Sequence, residues 1–188
     1  MAEISDKCVC SCTGGLLTKE LTVAAAHLLF WPFFLIGFAA DLWTKSAVFN
    51  WLGSHAPQRY GIIDGFFQFV LVENLGAAWG MAAGKTMSLV VISIVAIIIV
   101  FSIFLFGQKL QMVVVLALGL FAAGICGNLY DRLFNDGRVR DFLDFYYKDW
   151  HFPAFNLADS MLTVAVCILI MVTLFCRKKE NQMENSNE

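Results

Sequence analysis

The segment GNLYDRLFNDGRVRDFLDFYYKDWHFPAFNLADS, Gly127 to Ser160, is the most informative part of this sequence, because it lies between two apolar runs. It carries several carboxylates, among them Asp131, Asp141 and Asp159. A carboxylate at the edge of hydrocarbon is costly to keep charged, so an acid in such a place is a candidate for function. Two acids that face each other there would suggest chemistry.

The composition indicates a membrane protein. Hydrophobic residues make up 59% of the 188 residues and charged residues 15%, and the mean hydropathy is +0.70. Four uncharged runs are long enough, or nearly so, to cross a bilayer. These runs are Leu21 to Ala40, Thr86 to Gln108, Leu110 to Tyr130 and Ser160 to Cys176. The last run is short, so its helix is expected to begin upstream, near Phe155. We predict an all-α integral membrane protein with four transmembrane helices.

The two long connections, Asp41 to Lys85 and Gly127 to Phe155, fall on the same side of the membrane because two spans separate them. Residues 61–81, GIIDGFFQFVLVENLGAAWGM, mix β-branched and aromatic residues with glycines, which predicts short strands. We therefore expect a small extramembrane β-sheet from the first connection. The second is predicted as an interfacial loop that carries Asp141, since its aromatic residues suit the headgroup region.

The domain prediction has three parts: a cytoplasmic N-terminal tail at 1–20, a four-span domain at 21–177, and a disordered cytoplasmic C-terminal tail at 178–188. The basic residues 177–179 directly follow an apolar run and favour a cytoplasmic C terminus. With four spans, the N terminus is then cytoplasmic as well.

The sequence predicts neither a metal nor another cofactor. The N-terminal tail contains a CxCxC cluster, Cys8, Cys10 and Cys12, but no histidine or second cysteine pair completes a ligand set. We expect these thiols to be reduced and not to bind metal. HExxH, GxSxG and phosphate-binding glycine motifs are absent from the sequence.

Asp141 and Asp159 are the candidate catalytic pair. They are 18 residues apart, so the fold must bring them together. Two carboxylates that share a site hold one proton between them, and one can then act as base toward water while the other acts as acid toward a carbonyl. The alternative is that each acid pairs with Arg132, Arg138 or Arg140.

Two asparagines accompany the acids at a spacing of three, Asn128 before Asp131 and Asn156 before Asp159. On a helix this spacing places amide and acid on one face, where the amide can orient a carboxylate or hold a peptide backbone. The alternative is that these asparagines only bridge helices.

The motifs GNLYDRL, VRDF and FPAFNLADS, together with DLWTK at Asp41 to Lys45 and ENLGAAWG at Glu73 to Gly80, resemble the lipoprotein signal peptidase (signal peptidase II) family. The resemblance implies a four-span bacterial inner-membrane aspartic endopeptidase without a cofactor, with its active site toward the periplasm. Its implied substrates are prolipoproteins, cut just before a diacylglyceryl-modified cysteine. We expect a monomer that contacts membrane lipids and no nucleic acid.

Carried over by position, the catalytic aspartates of the family fall on Asp141 and Asp159. The substrate-binding or supporting residues fall on Asp41, Lys45, Asn74, Asn128, Asp131, Arg132 and Asn156. Asp41 and Lys45 have i, i+4 spacing, so a helical salt bridge is the alternative to substrate contact. Asp131 is the main rival for a catalytic place, but we expect it to support the site through an ion pair with Arg132.

The chain departs from the family pattern at three places. Leu75 stands where the family usually has threonine, Arg140 stands where valine usually precedes the catalytic aspartate, and the Asp131 to Asp141 interval is one residue longer. If Arg140 points inward, it should lower the pKa of Asp141.

Two other functions remain as hypotheses. One is a proton-coupled membrane transporter in which the same acids relay protons, although the chain lacks internal repeats. The other is a nonenzymatic scaffold that docks partners on the aromatic segment. A scaffold would tolerate the loss of either acid.

Overall fold

The computed structural model describes residues 20–54, 57–76, 86–107 and 110–185. Four helices run through them: α1 Val23–Gly53, α2 Thr86–Phe106, α3 Met112–Phe134 and α4 Leu157–Asn185. All four are long and apolar enough to cross a membrane. The four-span prediction is therefore confirmed. The cysteine cluster of the N-terminal tail lies outside the described residues.

Four strands form one antiparallel sheet in the order β1-β2-β3-β4: β1 Arg59–Ile63, β2 Phe67–Asn74, β3 Val139–Tyr147 and β4 Trp150–His151. The small extramembrane sheet predicted from the first connection is confirmed. The second connection, predicted as an interfacial loop, instead supplies β3 and β4. The backbone of β3 pairs with β2. Without this pairing, the N–H and C=O groups along the edge of β2 would lack partners.

Helix α3 lies at the centre of the bundle and packs against α1, α2 and α4. Small residues on its buried faces, among them Gly119, Ala122, Ala123 and Gly124, let the other helices approach closely. A side chain at Gly124 would come within 2.7 Å of the Ala158 carbonyl oxygen of α4. The close approach of α3 and α4 brings their polar ends together beside the sheet.

Two helices are longer than hydropathy predicted. Helix α1 has 31 residues and continues past Ala40 to Gly53, because Asp41 and Lys45 are buried against the protein rather than exposed to solvent. Helix α4 continues to Asn185, whereas a disordered tail was predicted from residue 178. Residues 177–185 are mostly good helix formers, so they prolong the helix at little cost.

The sheet sits at one end of the bundle. Strand β3 contacts both α1 and α3. At the opposite end, the backbone of Leu21 donates to Leu110 (3.1 Å), just before α1 and α3 begin. The N-terminal end of α1 therefore lies far from the sheet. Phe155, just before α4, pairs with Leu143 of β3, so α4 begins beside the sheet and its C-terminal end lies far from it.

Candidate active site

Strand β3 holds Asp141, which is 2% exposed. Its carboxylate accepts hydrogen bonds from the side-chain amides of Asn156 (Nδ2 to Oδ1, 2.7 Å) and Asn74 (Nδ2 to Oδ2, 3.2 Å). Asn74 is the last residue of β2, and the register between β2 and β3 shifts by one residue earlier in the strand, between Phe69 and Val72. The pairing of β3 with β2 thus fixes the position of Asp141, which the sequence predicted on a loop.

Asp159 lies in the first turn of α4. Its backbone N–H donates to the Asn156 side-chain oxygen (3.0 Å), and its own carboxylate accepts from the Asn156 backbone N–H (3.2 Å). This reciprocal pair is a capping box, which satisfies N–H groups that would otherwise lack partners at a helix start. Asn128 of α3 donates a further bond to Asp159 (Nδ2 to Oδ1, 2.7 Å).

Asn156 connects the two acids, since it caps Asp159 and donates to Asp141. The sequence placed Asn156 on the same helical face as Asp159, but it precedes α4 as the cap. Asn128 was paired with Asp131 by its spacing and instead contacts Asp159. Amides therefore hold both carboxylates. The alternative that these acids pair with arginines is wrong within the part of the chain that the structure describes.

Asp141 holds its proton more tightly than an ordinary aspartate. Burial raises its pKa to about 7, and the neighbouring charge of Asp159 acts in the same direction, while hydrogen bonds from Asn74 and Asn156 oppose both. Arg140 was expected to lower this pKa if it pointed inward. It points elsewhere, because neighbouring side chains on a strand lie on opposite faces. A raised pKa beside a second acid is typical of a catalytic pair.

Asp131 belongs to a separate buried network. Its side chain has no exposed surface and pairs with Arg140 (Oδ1 to Nη2, 2.7 Å) and Lys45 (Oδ2 to Nζ, 3.3 Å). The Arg140 backbone N–H also donates to it (3.0 Å). The predicted ion pair with Arg132 is wrong, because β3 folds back across the end of α3 and brings Arg140 to Asp131.

Asp41 and Lys45 form the i, i+4 salt bridge of the sequence prediction (2.7 Å), and neither side chain is exposed. Asp41 also accepts from the Ala158 backbone N–H of α4 (2.8 Å), and Lys45 donates to Asn128 (3.1 Å). A side chain at Gly127 would collide with the Asp41 carboxylate. This burial favours support over substrate contact for both residues.

Arg132 lines the same cavity as the two acids. It donates to the backbone carbonyls of Gly76 (3.3 Å) and Asn128 (3.4 Å). A cavity of about 100 Å³ opens here, lined by Asn74, Gly76, Asn128, Arg132, Val139, Asp141, Phe152, Pro153, Ala154 and Asp159. Both candidate catalytic acids and three predicted supporting residues, Asn74, Asn128 and Arg132, thus line one cavity.

Sequence reasoning missed two features of this region. Arg140 was treated as a departure from a pattern, yet it pairs with Asp131 and donates to Ser46 (3.3 Å). Residues 152–154 line the cavity, although the sequence pattern assigned them no role beyond the motif FPAFNLADS. Pro153 indicates an irregular segment next to the candidate site, and this was a second signal.

The family model for signal peptidase (SPase) II matches residues 33–175. The chain belongs to the signal peptidase II family. This match covers α2, α3 and the whole sheet, together with most of α1 and of α4. Members of signal peptidase II are aspartic peptidases, so the chain is an enzyme, and the transporter hypothesis has no support.

Relatives of the same family align over most of the chain. A lipoprotein signal peptidase from a Sulfurihydrogenibium species is 44% identical over 145 residues, which are 74% of this chain and 86% of that protein. A lipoprotein signal peptidase from Rhodopirellula baltica is 33% identical over 179 residues, 88% of this chain and 80% of that protein. The signal peptidase II similarity is therefore not confined to the short motifs.

The fold matches solved membrane enzymes. A bacterial membrane enzyme determined by the in meso method at 2.3 Å resolution has a TM-score of 0.70 and 28% identity, over 84% of this chain and 92% of that one. A second, at 1.9 Å resolution, has a TM-score of 0.68 and also 28% identity. Both similarities support a multi-pass membrane protein for this signal peptidase II.

Proposed function

We propose that this chain removes the signal peptide from prolipoproteins by hydrolysing the bond before a diacylglyceryl-modified cysteine, with Asp141 and Asp159 as the catalytic residues. One observation carries the assignment of the pair. Asn156 hydrogen-bonds both carboxylates, which holds them at one cavity between the sheet and the helix ends. The other residues of the network support this pair.

The surroundings of the two acids give them different roles, one as general acid and the other as general base. Asp141 is the protonated member, because its pKa is raised to about 7. Asp159 is the base that removes a proton from water as the water oxygen attacks the scissile carbonyl carbon. Asp141 donates to the carbonyl oxygen as negative charge develops there. When the tetrahedral intermediate collapses, the proton on Asp159 passes to the leaving amide nitrogen and Asp141 recovers its own.

The remaining polar residues hold this arrangement. Asn74, Asn128 and Asn156 fix the carboxylate oxygens, so little reorganisation is needed during the reaction. Arg132 holds the backbone carbonyl of Gly76 beside the cavity, which fixes the chain after Asn74. All these groups come from one chain, which supports action as a monomer.

The experiment that tests this function is cleavage of a synthetic diacylglyceryl-modified prolipoprotein by the purified chain, followed across pH. We expect kcat/KM to fall above pH 7, since the Asp141 proton is lost as the pH passes its pKa of about 7. Loss of one essential proton corresponds to about a tenfold fall per pH unit. The unmodified precursor serves as the control substrate, and melting of the enzyme at each pH excludes unfolding. Constant kcat/KM from neutral to strongly alkaline pH would contradict the assignment of the proton to Asp141.

We place the enzyme in the bacterial inner membrane, with the sheet and the active site on the periplasmic face. The basic residues 177–179 near the end of α4 support a cytoplasmic C terminus. The sheet lies at the other end of the bundle, so it would face the periplasm. A substrate anchored in the outer leaflet would then reach the cavity from the lipid phase.

Labelling of single cysteines tests this orientation. In a cysteine-free background, a membrane-impermeant maleimide should label a cysteine at Tyr60 or Asp149 in intact cells, because both are exposed on the sheet side. A cysteine at Glu20, at the opposite end, should react only after permeabilisation. Labelling of the Glu20 site in intact cells would reverse the proposed orientation.

A further inference from the structure

A groove runs across the sheet beside the active site. It has a volume of about 610 Å³, within the range of pockets that bind ligands. Its lining consists of residues 57–59, 70–72, Asp144 and 151–154. Every one of these residues lies outside the four helices, so whatever occupies the groove lies on the extramembrane side of the protein.

The groove adjoins the catalytic cavity. Phe152, Pro153 and Ala154 line both. The catalytic cavity also takes residues from α3 and α4, whereas the groove does not. A polypeptide that leaves the membrane beside the helices and passes the two acids therefore meets the groove next.

A buried polar group lies in the groove. Asp144 is 4% exposed, accepts from Gln68 (Nε2 to Oδ2, 2.6 Å), and is joined to His151 (Oδ2 to Nδ1, 2.8 Å). Because Nδ1 is engaged and the His151 side chain is 42% exposed, Nε2 is the ring nitrogen available to a ligand. His151 can therefore exchange a hydrogen bond with a peptide backbone in the groove.

Arg59 supplies charge at the rim. It is exposed, and among the residues that the structure describes it has no ion-pair partner. The Asp144 side chain, by contrast, is only 6% exposed. The accessible charge of the groove is therefore positive, which favours an acidic side chain in the bound segment.

We propose that this groove binds the first residues of the mature polypeptide after the lipidated cysteine, in an extended conformation, with a preference for an acidic side chain near Arg59. This proposal rests on the proposed function. The signal peptide is apolar and belongs beside the helices, so the polar mature segment is the part of the substrate that fits a groove outside them. His151 would bind its backbone, and Arg59 would select among its side chains.

The test compares three lipidated substrates with the purified full chain: one ending in an amide at the cysteine, one with six further neutral residues, and one in which these residues include glutamate. We expect the neutral extension to lower KM about fivefold, as one or two hydrogen bonds would. Glutamate should lower KM by about a further threefold, as an exposed ion pair would. The short substrate has no residues that could enter the groove, so its cleavage tests only the proposed function. If it is not cleaved, the proposed function itself is contradicted.

The variants separate binding from structure. Arg59→Gln should remove the advantage of glutamate only, and His151→Gln should reduce the benefit of the neutral extension, while kcat for the short substrate stays constant for both. Lys148→Gln, an exposed cation in the β3–β4 turn outside the groove, serves as the matched control. Equal KM values for short and extended substrates would overturn the proposal. So would a glutamate effect that survives Arg59→Gln, which would point to lipid headgroups or another site.

Discussion

Replacing Asp141 or Asp159 by asparagine is expected to lower prolipoprotein cleavage by about 10⁴-fold or more, as loss of one member of a catalytic unit does in other peptidases. The Asp159 variant loses the base that activates water, and the Asp141 variant loses the acid that stabilises the carbonyl oxygen. Asparagine keeps the size of the side chain, so the protein should still fold in membranes. Cleavage of the diacylglyceryl-modified substrate by purified variants measures the effect.

The matched control for these variants is Asp136→Asn, which changes an exposed aspartate in the turn between α3 and β3. Asparagine tolerates the positive φ of 49° at that position, so activity should stay unchanged. The double variant of Asp141 and Asp159 should be little worse than either single one, because the two act as a unit. Substantial turnover in a purified single variant would remove that residue from the catalytic pair.

Asp131→Asn is expected to lower the free energy of unfolding by about 3–5 kcal/mol, the range for removal of one partner of a buried ion pair. Lys45 and Arg140 would remain beside a neutral amide, and Lys45 has no exposed surface. The thermal midpoint in detergent should fall clearly. Protein that stays folded should still cleave substrate, because Asp131 contacts neither catalytic acid.

The exposed ion pair between Arg138 and Glu73 provides the comparison for this prediction. Their side chains are 48% and 41% exposed, and such pairs contribute about 0–1 kcal/mol. Arg138→Gln should therefore hardly change the thermal midpoint. If Asp131→Asn melted like the unchanged protein but were as inactive as the Asp159 variant, Asp131 would belong to the catalytic site.

Local patterns in the sequence predicted the spans and several contacts. Four apolar runs gave the helices, since hydropathy depends only on nearby residues. The i, i+4 spacing of Asp41 and Lys45 gave their salt bridge. The proximity of Asp141 and Asp159 was also expected. That expectation came from the family resemblance and from the chemistry of two carboxylates that share one proton, and not from a local pattern.

The contacts that were missed depend on how distant segments pair. Arg140 reaches Asp131 because β3 folds back beside the end of α3, and no spacing rule predicts that return. Asn128 reaches Asp159 across the contact between α3 and α4, which small residues on α3 permit. The capping role of Asn156 could have been predicted from the sequence, because an asparagine followed three residues later by an acid is a pattern of helix N-termini.

The length of α1 has a consequence for the lipid around the enzyme. Its 31 residues span about 46 Å, against about 30 Å of hydrocarbon in a typical bilayer. The excess must be accommodated by tilt or by projection from the membrane, and the exposed Trp43 near its sheet end favours the interface. Since Asp41 and Lys45 tie this helix to the catalytic framework, bilayer thickness sets the height of the scissile-bond site above the acyl chains. Membranes of different acyl-chain length would thus present the same substrate at different depths relative to the two aspartates.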